Sequence, residues 1–220
     1  MAAGIERDIR EIKLKVSRMA SLALDMTNKA LDGLFDENKA LLDWVIEKDR
    51  EVDEIDNEID EDVITVCALK HPEASDLRFI VASLKINVAI ERVADNAVNI
   101  AEWAQKIINK PKIVDYSDIK QMKKLAVFMF ENALEAFFDG DTQKSKQVIK
   151  LDDDVDLLEL AIMKKLIKLS YLNSANIKSA LRLTFVARAL ERIADQATNI
   201  AELATFVATG EVVKHKRIKE

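Results

Sequence analysis

Four pairs of acidic residues spaced four positions apart recur at matching positions in the two halves of this sequence. On a helix, residues at this spacing share one face, and like charges there cost about 0.2–0.5 kcal/mol per pair. The cost is higher beside an apolar seam, where the local dielectric constant is lower, so a bound cation would stabilise the pairs. Ligand sets made only of oxygen suit hard ions such as magnesium, calcium, manganese or ferric iron. The predicted carboxylate ligands are Asp49, Asp53, Glu91, Asp95, Asp152, Asp156, Glu191 and Asp195.

The four pairs belong to an internal repeat. Residues 91–102 read ERVADNAVNIAE and residues 191–202 read ERIADQATNIAE, so nine of twelve positions are identical at an offset of 100. The segments that carry the other two pairs also match, at an offset of 103. Chance similarity between two amphipathic helices would reproduce the apolar positions but not the acids. This self-similarity predicts two copies of one structural unit.

Amphipathic helices must position these acids. Apolar residues recur at alternating intervals of three and four, which places them on one face of a helix. Gly33 and the polar stretch at 36–38 are expected to end the first helix. Pro72 is expected to end the second, since the residue before a proline disfavours helix. Asp141 and Thr142 suit the N-cap of the fifth helix, and Gly210 suits a C-terminal cap on the sixth. The predicted helices cover about residues 5–33, 40–69, 74–108, 117–138, 143–172 and 175–209.

Short loops between helices of this length force consecutive helices to lie antiparallel. The predicted fold class is therefore all-α, with two tandem pseudo-symmetric three-helix bundles made of six long antiparallel helices. The first bundle is assigned to residues 1–110 and the second to residues 111–220.

The second connection of each bundle brings the acid pairs together. A turn near Pro72 places Asp53 opposite Glu91 and Asp49 opposite Asp95 on the antiparallel helix. A turn near residues 173–174 does the same in the second half. There Asp156 falls opposite Glu191, and Asp152 falls opposite Asp195. Both halves are thus predicted to hold four carboxylates at one level of a helix pair.

A simpler interpretation of the acids is also open. Charged stripes on helices are usually solvated, and Arg92 and Arg192 adjoin the acids and could form ordinary ion pairs with them. His71 and His215 are expected to be a loop residue and a residue of a solvated basic tail. The fourfold recurrence of the spacing, in register across a predicted hairpin, favours the cation site.

Composition narrows the class of protein. The net charge of -6 argues against non-specific nucleic-acid binding, which needs a basic face. The lone Cys67 cannot form an intrachain disulfide, and no apolar run approaches the roughly 18 residues of a membrane span. We therefore expect a cytoplasmic protein that contacts the membrane only through partners. Apolar stripes left exposed on long bundles predict a homodimer.

Several of these segments resemble one known family. ERVADNAVNIAE and the run ALRLTFVARALERIADQATNIAELATFVATGEVVKH are similar to the PhoU family of phosphate-uptake regulators. The segment at 72–78 and the segment at 148–156 resemble the same family. The resemblance covers nearly the whole chain.

The resemblance implies a fold and a role. Members of the family have two symmetric three-helix bundles and act in the cytoplasm as negative regulators of phosphate uptake. They link the phosphate ABC transporter, through its ATPase subunit, to a sensor histidine kinase. Paired E/DxxxD motifs in some members bind metal, including multinuclear iron clusters. The resemblance places these motifs on the eight acids named above, and it places Asn99 and Asn199 at the following polar position.

The sequence departs from the family pattern around the central acids. Members often have Gly and His beside the Asp, where this chain has Ala94 and Asn96, then Ala194 and Gln196. Alanine favours a helix over glycine by up to about 1 kcal/mol. The absence of the histidines removes nitrogen donors and leaves the identity of the metal open among iron, manganese, magnesium, calcium and zinc.

Motifs typical of enzymes are absent. The sequence has no glycine-rich phosphate loop, GxSxG or HExxH motif, and it lacks the ExxH of di-iron carboxylate enzymes. We therefore predict a regulatory adaptor with carboxylate metal sites and not an enzyme. Two alternatives stay open, namely a metal-dependent hydrolase such as a phosphatase and a metal-free helical scaffold that binds proteins.

Overall fold

The computed structural model describes residues 2–70 and 72–211, so the predictions for His71 and His215 lie outside the described residues. All regular structure in this part of the chain is helical, as predicted. A short 3₁₀ turn, Ser174–Asn176, precedes the last helix. The six long helices are α1 (Ala2–Phe35), α2 (Lys39–Lys70), α3 (Ala74–Gln105), α4 (Ser117–Asp139), α5 (Thr142–Leu172) and α6 (Ile177–Thr209).

The helices form two antiparallel three-helix bundles, which confirms the predicted fold class. Helices α1, α2 and α3 pack together, and α4, α5 and α6 do the same. On α1 the apolar face predicted from the spacing is fully buried from Ile12 through Met26 to Ala30. Residues 106–116 connect the bundles, and the division of the chain at residue 110 stays a prediction. In the described residues no helix has a stretch both long and apolar enough to cross a bilayer.

The bundles join where α3 packs against α6. The Trp103 and Phe185 rings stack with their centroids 4.6 Å apart, whereas Arg78 lies beside Gly210 at the other end of the seam. The two helices are therefore antiparallel. Because equivalent residues differ by 100 in number, the pseudo-twofold axis of the repeat passes close to Ala94 and Ala194. Both are buried, and their small side chains suit a close approach of the two helices.

Two helix ends differ in part from the prediction. Helix α1 continues through Gly33 and ends at Phe35, directly before the polar stretch at 36–38. A side chain at Gly33 would meet Leu42 of α2, whose Cδ2 lies 2.5 Å from the position of a Cβ atom. This glycine therefore permits close packing of α2 and is not a stop. Helix α3 ends at Gln105 and not at Ile108, because the chain turns there towards Asn109, which has a left-handed φ of 64°.

The predicted caps of the second bundle are confirmed. The Asp141 side chain accepts hydrogen bonds from the backbone N–H groups of Gln143 and Lys144 at the start of α5, which is the N-cap geometry. Gly210 has a φ of 77° after the last residue of α6, which is the left-handed conformation of a C-terminal cap.

Substitution of Gly33 by Ala should destabilise the protein by about 1–3 kcal/mol, because the new methyl group overpacks the contact with Leu42. In an open helical position the same change would stabilise by up to about 1 kcal/mol. Chemical denaturation measures the difference. The double variant Gly33→Ala, Leu42→Ala is the control, since it removes the obstructing side chain. We expect the change in the free energy of unfolding of the double variant to differ from the sum of the changes in the two single variants. An increase in stability in Gly33→Ala alone would contradict the contact.

Candidate functional site

The predicted acids lie along the edges of two helix pairs. In the first bundle they follow the seam between α2 and α3, and in the second they follow the seam between α5 and α6. None belongs to the buried core, and their side chains range from half-buried to exposed. We call Asp49, Asp53, Glu91 and Asp95 the first acidic cluster, and Asp152, Asp156, Glu191 and Asp195 the second acidic cluster.

The acids of the first cluster influence one another across the seam. Partial burial raises the pKa of Asp49, and the charges of Asp53 and Asp95 raise it further. Burial also raises the pKa of Asp95, with a contribution from Asp53 on the opposite helix. The pKa of Glu91 is raised by burial and then by Asp95, Asp56 and Asp53, and it is lowered by Arg92. These pairings agree with the register expected from the position of the turn.

The second acidic cluster shows the same pattern more strongly. Burial, followed by the charges of Asp195 and Glu159, raises the pKa of Glu191 to about 7. Burial and the charges of Asp195 and Asp156 raise the pKa of Asp152 to about 6. The pKa of Asp195 is also raised, by burial and by Asp156, although Arg192 opposes the shift. Partial burial and the neighbouring carboxylates together make full ionisation of this cluster costly.

Several neighbouring acids on α2, unlike the cluster acids, form ion pairs with basic side chains. On α2, Glu51 forms ion pairs with Arg18 and Lys48, and Glu58 and Asp62 both pair with Lys15. By contrast, none of the eight cluster acids forms an ion pair within 4.0 Å among the residues that the structure describes. Arg92 and Arg192 lower the pKa of Glu91 and Asp195 from a greater distance. The cluster acids are therefore not balanced by direct contact with lysine or arginine.

The clusters only partly fit a metal ion as the side chains stand. The donor atoms are carboxylate oxygens, which hard cations prefer, and they lack a paired basic side chain. However, no three acidic, histidine or cysteine side chains in the described ranges converge on one point where they could hold a metal ion. Carboxylate side chains at a helix edge can rotate between staggered rotamers. The chemistry of the donors fits a cation, and the side-chain conformations shown here do not yet surround one.

The structure adds residues that the predicted ligand set omitted. Asp56 and Glu159 are equivalent in the repeat, and each raises the pKa of the glutamate across the seam. The Thr198 hydroxyl lowers the pKa of Asp152, although it makes no hydrogen bond of ordinary geometry. The replacement of Val98 by Thr198 in the second repeat was the available sequence signal for this contact.

The polar residues that follow the acids behave differently in the two bundles. Asn99 is exposed, whereas Asn199 is half-buried and its side-chain amide donates a hydrogen bond to the Gln196 side-chain oxygen Oε1 at 3.4 Å. Asn96 is buried and its amide donates to the Arg92 backbone carbonyl. Around Asn99 and Asn199, as in the rest of the described ranges, no three acidic, histidine or cysteine side chains converge on a point that could hold a metal ion.

A double three-helix bundle with one carboxylate cluster per repeat defines the class of this protein as a duplicated helical-bundle protein. The PhoU domain model matches residues 16–104 and 119–204, which are the two repeats. The chain therefore belongs to the PhoU domain family.

Curated relatives match over almost their whole lengths. One, from Aquifex aeolicus, is 38% identical over 97% of this chain and 97% of its own, and it is named a phosphate-specific transport system accessory protein PhoU homolog. Another of the same name, from Zymomonas mobilis, is 32% identical over 94% of this chain and 87% of its own.

Solved structures share the whole architecture. PhoU from Pseudomonas aeruginosa superposes with a TM-score of 0.90 at 26% identity, covering 94% of this chain and 99% of that one. The phosphate transport system regulatory protein PhoU from Streptococcus pneumoniae gives a TM-score of 0.89 at 26% identity, covering 96% and 99%.

Proposed function

We propose that this chain is an accessory regulator of a phosphate-specific transport system that restrains phosphate uptake. The observation that carries the proposal is the match of both repeats to the PhoU domain, together with relatives of that name over nearly the full length. In this proposal the chain works in the cytoplasm as an adaptor between the ATPase subunit of the phosphate ABC transporter and a sensor histidine kinase. It is a homodimer, and it reaches the membrane through these partners.

The adaptor role is tested with purified components. The tagged chain is incubated with the transporter ATPase subunit and with the cytoplasmic part of the kinase, at low and high phosphate and with and without added metal. We expect recovery of both partners under at least one of these conditions. Recovery of neither partner under any of them would contradict the adaptor role. Loss of the chain in its host should raise phosphate uptake when phosphate is plentiful, and unchanged uptake would contradict negative regulation.

We further propose that each acidic cluster binds a polyvalent cation and that binding draws the four carboxylates together. The support is the unpaired negative charge on both sides of each seam, which partial burial makes more costly. The ligands are the eight cluster acids, with Asn99 and Asn199 as neighbouring oxygen donors. Iron, including multinuclear iron, is the first candidate, with manganese, magnesium, calcium and zinc as alternatives.

A metal-free scaffold is the second candidate, because no three donor side chains converge in the described residues. Elemental analysis of protein purified without chelators separates the two. Metal at about one or more ions per cluster supports the cation sites. Metal-free protein that also fails to bind added manganese or iron supports the scaffold. Turnover of a phosphate ester that depends on added metal would instead favour the hydrolase alternative and contradict the assignment as a non-enzyme.

A further inference from the structure

The end of the second bundle, where α5 turns into α6, has an unusual charge. Residues 160–190 contain four Lys and two Arg and no Asp or Glu, which gives a formal charge of +6. Since the whole chain carries -6, the remaining residues carry -12. We call residues 160–190 the second hairpin tip. The equivalent first hairpin tip, residues 57–90, contains six acidic and three basic residues, for a charge of -3.

The second hairpin tip is also apolar on its outside. Tyr171 and Leu172 stand at the turn with 88% and 73% of their surfaces exposed, and Ile167 on α5 and Ile177 and Leu181 on α6 are exposed beside them. Between the two helices lies a groove of about 500 Å³, lined by Met163, Ile167, Tyr171, Ile177, Leu181 and Thr184. The tip therefore presents aliphatic and aromatic side chains in a shallow, open groove.

Three lysines that each follow a groove-lining residue in the sequence have no counter-charges. Lys164, Lys168 and Lys178 are exposed and form no ion pair with the residues that the structure describes. Lys165 differs, because it is held by Asp118 at 2.8 Å, and Arg182 is engaged with the Lys106 carbonyl at 2.5 Å. The three free lysines can extend their hydrocarbon stems along the apolar surface and keep their ammonium groups at its rim.

We propose that the second hairpin tip docks on a membrane surface rich in anionic lipid. Anionic headgroups attract exposed lysines near the surface, and an exposed tyrosine suits the interface between headgroups and acyl chains. A protein partner would need acids fixed at three positions across two helices, whereas mobile headgroups can reach each lysine independently. The rest of the chain is acidic, so the same attraction orients the tip towards the lipid. This adds a direct contact to the association through partners, and it does not depend on the proposed function.

The comparison between repeats supports this choice. The first hairpin tip exposes apolar residues at equivalent positions, with Ile64, Leu69, Leu77 and Val81 matching Ile167, Leu172, Ile177 and Leu181. It lacks the excess of basic residues, so an anionic surface would repel it. Exposed apolar side chains are thus common to both tips, and charge distinguishes the one that binds lipid.

The test is co-sedimentation of the full-length protein with vesicles of phosphatidylcholine alone or mixed with phosphatidylglycerol. We expect binding only to the mixed vesicles and weaker binding at high salt. The variant Lys164→Gln, Lys168→Gln, Lys178→Gln should partition on the order of a hundredfold less. The matched control is Lys124→Gln, Lys146→Gln, Lys150→Gln, which removes the same charge from exposed positions outside the tip and should bind like the parent.

The double variant Tyr171→Ser, Leu172→Ser should also bind less to the mixed vesicles, and circular dichroism checks that each variant is folded.

Several outcomes would overturn the proposal. These are equal binding to both kinds of vesicle, binding to neither, full binding by the tip variant, or equal losses in the tip and control variants. Sedimentation velocity without lipid measures whether the chain associates with itself. Self-association that Tyr171→Ser, Leu172→Ser abolishes, with no binding to mixed vesicles, would assign the tip to a contact between copies of the chain instead.

Discussion

Replacing Asp195 by Ala should weaken cation binding at the second acidic cluster by about tenfold or more and leave helical content unchanged. Loss of a residue that only supports a ligand costs about 10–100-fold in affinity, so loss of a ligand should cost at least as much. Asp195 lies opposite Asp152 and raises its pKa, which places it within the charge that a cation would balance. Because its side chain lies outside the core, helicity should survive. Calorimetric titration of metal-stripped protein with manganese or ferric iron measures the affinity.

Two further variants make this result specific. Asp95→Ala should weaken binding in the first cluster only. Asp154→Ala removes an exposed acid from α5 outside the cluster and should bind like the parent, although the change in net charge is the same. Unfolding of Asp195→Ala, seen by circular dichroism, would contradict its placement at the helix edge. Binding by Asp195→Ala as tight as that of Asp154→Ala would remove it from the ligand set.

Lowering the pH from about 8 to about 5 should stabilise the metal-free protein. Glu191 has a pKa of about 7 against an ordinary 4.5, and Asp152 has a pKa of about 6 against 3.8. A raised carboxyl pKa means that the folded state binds protons more tightly. This tighter proton binding stabilises the folded state in full below the ordinary pKa of each carboxyl group. The stabilisation is lost as the pH rises through about 6 for Asp152 and about 7 for Glu191. Since both side chains stay partly exposed, solvent screening limits the effect to about 1 kcal/mol per group.

Denaturant unfolding at a series of pH values measures this dependence. Glu191→Gln should be more stable than the parent at about pH 8, because it removes a repelled charge, and its stability should change less with pH. Asp154→Asn is the control and should follow the parent curve. Saturating cation should flatten the curve of the parent, since it takes the place of the protons. A parent and a Glu191→Gln variant with parallel curves would show that the clustered charge does not affect stability.

The sequence was sufficient to predict the six helices, the repeat and the facing of the acids. The hairpin register follows from the position of each turn, so Asp49 could be placed opposite Asp95 before any coordinates. Helix starts and stops that depend on a local hydrogen bond, such as the cap at Asp141, were also predictable. These features depend on residues close in the chain or on a single loop length.

Features that depend on contacts between distant residues were not predictable. Gly33 looked like a stop, and only the packing of Leu42 against it shows why a glycine stands inside the helix. Asp56 and Glu159 raise the pKa of Glu91 and Glu191, and this effect depends on how the two helices of each seam face one another. Side-chain rotamers decide whether the carboxylates surround a common point, and a spacing rule cannot fix them. The charge difference between the two hairpin tips was present in the sequence, but its meaning depends on the exposure of Tyr171 and Leu172.

The antiparallel seam between α3 and α6, with Ala94 and Ala194 beside the pseudo-twofold axis, has the geometry of an isologous homodimer. In such a dimer every substitution appears twice, so both subunits must carry the same outer charge. Fusion of the two copies into one polypeptide removes that constraint. One half can then become strongly basic at its far end while the other stays acidic, and a molecule that would otherwise be symmetric acquires a polarity.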